Sequence, residues 1–194
     1  MMIIGLTGGI ATGKSTVSDY LQNKYQIPVV DADILAREAV KVYSPIYKRI
    51  VKRYGSEILL ADVSINRARL GEIIFNDESE KLWLEGQIHP YVRQEMEREV
   101  KESQAPIMVL SIPLLFEAQM TDLVDEVWVV YADFDTQVAR LQRRNGLSKE
   151  SAIARITSQM PLREKLKRAD VVIDNSGNIK DLYQITDQEI LTRT

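Results

Sequence analysis

This sequence predicts an α/β fold, a parallel sheet flanked by helices, and three observations carry that prediction. Five short apolar runs, at residues 2–6, 27–30, 107–112, 127–131 and 171–173, are rich in Val and Ile and lack polar alternation. Strands buried on both faces read this way. Helical patterns separate the runs, supplying the long crossovers that parallel strands need. The first run leads into a glycine-rich loop and then a helix-compatible segment at 16–25, the strand–loop–helix order of a phosphate-binding loop.

That loop, Gly8-Gly9-Ile10-Ala11-Thr12-Gly13-Lys14-Ser15, fits the pattern Gly, four residues, Gly, Lys, Ser/Thr. Its glycines let consecutive backbone N–H groups curve around phosphate oxygens. The helix starting near Gly13 adds uncapped N–H groups and the positive end of its dipole, with Thr16 in the first turn. Lys14 is expected to meet the β- and γ-phosphates, and the Ser15 hydroxyl to bind Mg²⁺. The sheet is therefore expected to be a P-loop nucleotide-binding core, formed by residues 1–39 and 105–194, that uses ATP or GTP.

The chain has 194 residues, 45% apolar and 27% charged, with a net charge of −3 and no cysteine. That suits one globular domain or a core with an inserted subdomain. The negative charge gives no general attraction to nucleic acid or an anionic membrane. Lack of cysteine excludes disulfides, thiolate metal sites and cysteine nucleophiles. The first apolar run is too short for a signal or spanning segment. A cytoplasmic monomer with small-molecule partners alone, no nucleic acid and no membrane, is the expectation.

Residues 40–104 are expected to be helices only, an insertion suited to holding a second substrate. Ser44-Pro45 opens one helix and Gly55 ends it. Asn66 caps a segment with Leu70, Ile73 and Ile74 on one face. Asp77 and Glu80 make a box-like start for the segment with Leu82 and Trp83. Pro90 is expected to begin a separate charged helix running to about residue 103.

Asp31-Ala32-Asp33 follows the second strand run. Two carboxylates at a strand's C-terminal end, beside a phosphate loop, suit Mg²⁺ contacts and a general base. Asp33 equally suits capping of a helix at 34–40, and one residue can do both. Further on, Asp135 or Thr136 is expected to cap a helix whose Arg140 lies near Arg143 and Arg144 on one face. Asn145-Gly146 ends it, Ser148 starts a segment with Arg155 and Gln159, and Pro161 stops that. An arginine-faced hairpin at 136–160 can act as a lid over a triphosphate or simply be a solvated basic face. The last strand run ends in Asp174-Asn175-Ser176-Gly177, a loop able to contact a base or ribose, or to serve only as a turn. The single histidine, His89, has no catalytic role on these grounds alone.

Several of these segments resemble the dephospho-coenzyme A kinase family. They are residues 5–15, Asp31-Ala32-Asp33, Leu84-Glu85 with His89-Pro90, Pro113-Leu114-Leu115-Phe116-Glu117, Gln137 with Arg140 and Arg144, Gln159, and Asp174-Asn175 with Gly177. The resemblance implies phosphorylation of the ribose 3′-hydroxyl of dephospho-CoA by ATP, giving CoA and ADP, with Mg²⁺. It implies a P-loop core, a helical region binding dephospho-CoA and a lid. By resemblance Asp33 accepts the hydroxyl proton, Arg140 belongs to the lid, and the loop around Asn175 lies near adenine. His89 and residues 113–117 fall where the acceptor is held. Family members often carry an aspartate where Ser111 stands, which leaves Asp31, Asp33 or Glu117 to supply the metal's outer carboxylate. Ala11-Thr12 replaces the usual small pair before Gly13.

Two other readings fare worse. A GTP switch needs a guanine-reading Asn-Lys-x-Asp segment, and Asn23-Lys24-Tyr25-Gln26 lacks the aspartate. An ATPase acting on nucleic acid needs a basic stripe that this chain does not have.

Overall fold

The computed structural model describes residues 1–193. Along the chain run β1 (Met2–Gly8), α1 (Lys14–Tyr25), β2 (Val29–Asp31), α2 (Ala32–Ala39), α3 (Pro45–Tyr54), α4 (Arg67–Asn76) and α5 (Glu78–Glu102). Then come β3 (Ile107–Ser111), β4 (Glu126–Tyr131), α6 (Phe134–Asn145), α7 (Lys149–Thr157), α8 (Leu162–Leu166), β5 (Val171–Asp174) and α9 (Ile179–Leu191). Every expected apolar run is a strand, and the five form one sheet in the order β2-β3-β1-β4-β5, with every pairing parallel.

Residues 107–111 of β3 and 127–130 of β4 are all buried, so these runs are apolar without alternation, whereas β5 alternates and exposes Val172. Ile4 and Leu6 of β1 pack with Val109, Trp128, Val130 and Ile173 from neighbouring strands and with Val17 and Leu21 of α1. The register Leu6↔Ser111 and Asp31↔Ser111 brings the C-terminal ends of β1, β3 and β2 level. Polar side chains at those ends therefore gather at one edge of the sheet, where open parallel sheets bind ligands.

The chain divides into two compact units, residues 1–31 with 102–194, and residues 32–101. The helical unit thus starts at residue 32 rather than 40, and its boundary falls inside Asp31-Ala32-Asp33. Its own core joins Ala39, Ile46, Tyr47, Ile50, Ile58, Ile65, Leu70 and Leu84. Arg53 is bidentate to Glu80, 2.7 Å on each arm, and Tyr54 Oη donates to the same carboxylate at 2.6 Å. These bonds hold Glu80 below the usual carboxylate range, Arg53 contributing most and Tyr54 next. Burial and the Glu80 contact push the Tyr54 phenol up to about 12.

Most local signals do what their chemistry suggests. Ser44 accepts from Tyr47 N to cap α3, Asn66 from Arg69 N to cap α4, and Ser148 from Ser151 N to cap α7. Gly55 and Gly146, both at positive φ, end α3 and α6.

Five expectations are corrected. Residues 59–65 form a small loop closed by an antiparallel Leu59↔Ile65 bridge, so the unit is not helical throughout. Pro90 lies inside α5, one 25-residue helix, instead of starting a new one. An internal proline costs about 3 kcal/mol. Burial of Leu84, Val92 and Met96 along one stripe, at about 1.5–3 kcal/mol each, outweighs it. Glu80 pairs with Arg53 and so does not close a capping box; Asp77 alone accepts from Ser79 N and Glu80 N. Asp133, not Asp135 or Thr136, caps α6, accepting from Thr136 N and Thr136 Oγ1. Asp33 sits within the first turn of α2, which starts at Ala32, so it does not precede the helix as a cap.

Candidate functional site

The phosphate loop leaves β1 at Gly8 and closes on itself. Thr12 is fully buried, and both its N–H and its Oγ1 donate to Gly9 O, at 3.3 and 3.0 Å. Its side chain thus shapes the loop, leaving phosphate contact to the backbone. Gly13 precedes α1 with φ 98°, no side chain caps the helix, and no acidic residue stands in its first turn. Those are the conditions under which a helix N-terminus attracts an anion. A Cβ at Gly13 would also overlap the amide nitrogen of Asn175, and one at Gly9 would come within 2.8 Å of Gln137 Oε1. Ser15 is exposed at the helix start.

Lys14 turns toward the edge of the sheet. Its Nζ donates to Ser111 Oγ and lies 3.5 Å from Asp31 Oδ2. Ser111 Oγ donates to the same carboxylate oxygen at 2.8 Å. Ser111 and Asp31 meet because they are register partners on β3 and β2. Asp31 is thus the carboxylate facing Lys14 at this edge, with Ser111 as a neutral bridge between them.

On the loop's other side, two distant elements converge on one carbonyl. Asn175 is buried after β5, and its Nδ2 donates to Thr12 O at 2.7 Å. Arg140 of α6 donates to Asn175 O at 2.9 Å and to Thr12 O at 3.4 Å. Arg140, Asn175, Gly13, Thr16, Gly177 and Ile179 line a cavity of about 230 Å³. Gln137, one turn before Arg140, is buried and donates to Ala132 O. Arg144, expected to bind nucleotide, is exposed and donates to neighbouring Asn145, so of Arg140 and Arg144 only Arg140 bonds the loop.

After β3, residues 113–117 form a tight turn. Pro113 and Leu114 are half-buried, whereas Leu115 is fully buried and packs its side chain close to Gly5. Glu117 Oε1 accepts from Met160 N at 3.1 Å and pairs with Lys165 Nζ at 3.0 Å. Lys165, fully buried, also donates to Pro113 O. Nothing in its local sequence, one lysine in a short charged helix, marks it as buried.

Within the helical unit, a cavity of about 430 Å³ is walled by Asp33, Arg37 and Arg67 and by apolar residues including Val40, Ile65, Leu70, Ile74 and Ile88. His89 follows Ile88 on α5 and is half-buried, but is not among these walls. Arg37 and Arg67 were absent from the sequence-based candidates. Only their shared cavity with Asp33 singles them out.

A phosphate loop on the central strand of a parallel sheet, with an arginine from a helical hairpin bonded to its backbone, defines a P-loop kinase, a phosphotransferase. The family model described as Dephospho-CoA kinase matches residues 2–181. The dephospho-CoA kinase of Synechocystis sp. is 57% identical over 181 residues, covering 93% of this chain and 90% of its own. That of Trichormus variabilis is 55% identical over 185 residues, covering 95% and 94%. The solved dephospho-CoA kinase from Campylobacter jejuni superposes with a TM-score of 0.70 at 31% identity, covering 97% of this chain and 95% of that one. The chain belongs to the dephospho-CoA kinase family. No helix among the described residues is long and apolar enough to cross a membrane.

Proposed function

We propose that this kinase moves the γ-phosphoryl group of ATP to the ribose 3′-hydroxyl of dephospho-CoA, giving CoA and ADP, with Asp33 as the base. The observation that carries the acceptor half is the helical unit's cavity, where the Asp33 carboxylate shares walls with Arg37, Arg67 and an apolar lining. Dephospho-CoA joins a diphosphate to a long, largely uncharged arm and offers a hydroxyl for deprotonation. Two arginines suit the diphosphate, apolar walls suit the arm, and the carboxylate suits the proton. His89, Pro113, Leu114 and Glu117 serve the acceptor side, Glu117 through the bonds that fix the turn at 113–117. Leu115 supports that turn from the core.

ATP lays its β- and γ-phosphates on residues 8–16, chiefly on backbone N–H groups. Lys14 exchanges Ser111 and Asp31 for phosphate oxygens. Asn175 and Gly177 border the space for the adenosine, and Arg144 joins from the lid. As the acceptor oxygen bonds to the γ-phosphorus, its proton passes to Asp33 and the bond to ADP's β-phosphate oxygen breaks in line. Lys14 and Arg140 offset the charge on the transferring oxygens.

The donors fit Mg²⁺. Ser15 and Asp31 supply hard hydroxyl and carboxylate oxygens, and no cluster of three or more His, Cys, Asp or Glu among the described residues forms a self-sufficient metal site. That suits an ion which keeps waters and shares phosphate oxygens, neutralising their charge when bound. The working state we infer is a cytoplasmic monomer.

The test is ADP release from Mg·ATP with dephospho-CoA, beside CoA, AMP and adenosine as acceptors. Turnover that requires dephospho-CoA, with phosphate appearing on the ribose 3′-oxygen, is the expected result. Preference for another acceptor would overturn the reading of the cavity while leaving the P-loop kinase intact.

A further inference from the structure

We propose that Lys165 is a positioning residue for the transfer, a buried cation that locks the turn at 113–117 to both the phosphate-loop strand and the base of the lid. Its side chain has no solvent exposure. Its ammonium donates to Pro113 O at 2.8 Å and to Glu117 Oε1 at 3.0 Å, spanning the turn from first residue to last. Each acceptor is shared with another part of the molecule. Pro113 O also accepts from Thr7 Oγ1 at 3.1 Å, one residue before the loop's first glycine. Glu117 Oε1 also accepts from Met160 N at 3.1 Å, where the chain leaves the α6–α7 hairpin.

One charge thus braces a turn whose two ends also bond the end of β1 and the lid's exit, elements that phosphoryl transfer must keep in register. A fully desolvated lysine is costly unless paired, and removing it leaves the Glu117 charge with a lost partner in a largely dry place. Position errors near 1 Å lower rates strongly even when no reacting group is altered. The other oxygen of this carboxylate, Glu117 Oε2, is buried without a donor from the described chain. Buried acceptors of this kind are normally satisfied. The inference rests on the reading that the turn at 113–117 serves the acceptor.

The experiment compares Lys165→Met, Glu117→Gln, Lys165→Met with Glu117→Gln, and Leu114→Ala in the full chain, by steady-state kinetics and thermal melting. Lys165→Met should raise the KM for dephospho-CoA about tenfold and lower kcat, while the KM for ATP moves less than threefold. Glu117→Gln, which keeps an oxygen for Met160 N and should fold even if Lys165→Met does not, should raise the acceptor KM about threefold. The double variant, which keeps an oxygen for Met160 N, should be no worse than Lys165→Met alone, because each single change already breaks the same Lys165–Glu117 ion pair. A folded Lys165→Met, or failing that Glu117→Gln, whose acceptor KM stays within 1.5-fold of the parent overturns the proposal, whatever happens to Tm. Leu114→Ala separates the two readings, since an unchanged acceptor KM there removes the acceptor role of the turn, independently of the Lys165 result.

Discussion

The phosphate-loop core and the helical unit set their charged groups in different surroundings. In the core, Lys14, Asp31, Arg140 and Asn175 are all tied to the loop or the strand ends by hydrogen bonds. In the helical unit, Asp33, Arg37 and Arg67 share cavity walls with apolar neighbours and are themselves exposed. The division runs through Asp31-Ala32-Asp33, with one carboxylate in each unit. The difference teaches that the nucleotide side is braced by hydrogen bonds to the loop backbone and between side chains at the strand ends, whereas the acceptor side sets exposed charges beside an apolar wall.

The sharpest way to break that contrast is Arg140→Ala. If Arg140 acts on charge developing in transfer, kcat should fall about 10³-fold or more, with the KM for ATP changing only a few-fold. An ATP KM that rises as much as kcat falls would make Arg140 a brace for the loop instead, since it already bonds Thr12 O. Asp33→Asn comes next, with an expected loss of about 10²–10⁴ in kcat and little change in either KM. Near-normal turnover would end its assignment as base.

Smaller effects refine the acceptor side. Arg67→Ala should raise the KM for dephospho-CoA about tenfold, the scale of one charge-assisted hydrogen bond, and leave the KM for ATP unaltered. An equal change in both would detach the cavity from the acceptor. The smallest effect concerns stability of the helical unit. The Glu80 carboxylate is held below its ordinary value, first by Arg53 and then by Tyr54. Its contribution is therefore complete above the ordinary value of 4.5 and vanishes as pH falls through the lowered folded value. Glu80→Gln should lower Tm by about 1–3 °C at pH 7 and by less at pH 3, exposed ion pairs being weak. A difference that grows in acid would contradict this.

What could be read in advance was whatever is written in consecutive or helically spaced residues. The phosphate loop, the five strands and the caps at Ser44, Asn66 and Ser148 are of this kind. The errors share a cause. Pro90 and Glu80 follow local rules that lose to distant partners, the first to a buried stripe along α5 and the second to Arg53. Asp133 and Asp135 stand equally well before a helix, and only the backbone's extended turn at Asp133 decides which one caps.

By itself the sequence determined the fold class, the phosphate loop and its orientation, and the family, because local spacing and backbone chemistry dictate these. Tertiary structure alone decided that Asp31 faces Lys14 through Ser111, that Asn175 and Arg140 meet on Thr12 O, and that Lys165 is a buried brace. Each of these joins residues far apart in the chain. Their meeting is fixed by sheet register and side-chain burial, which no short segment encodes.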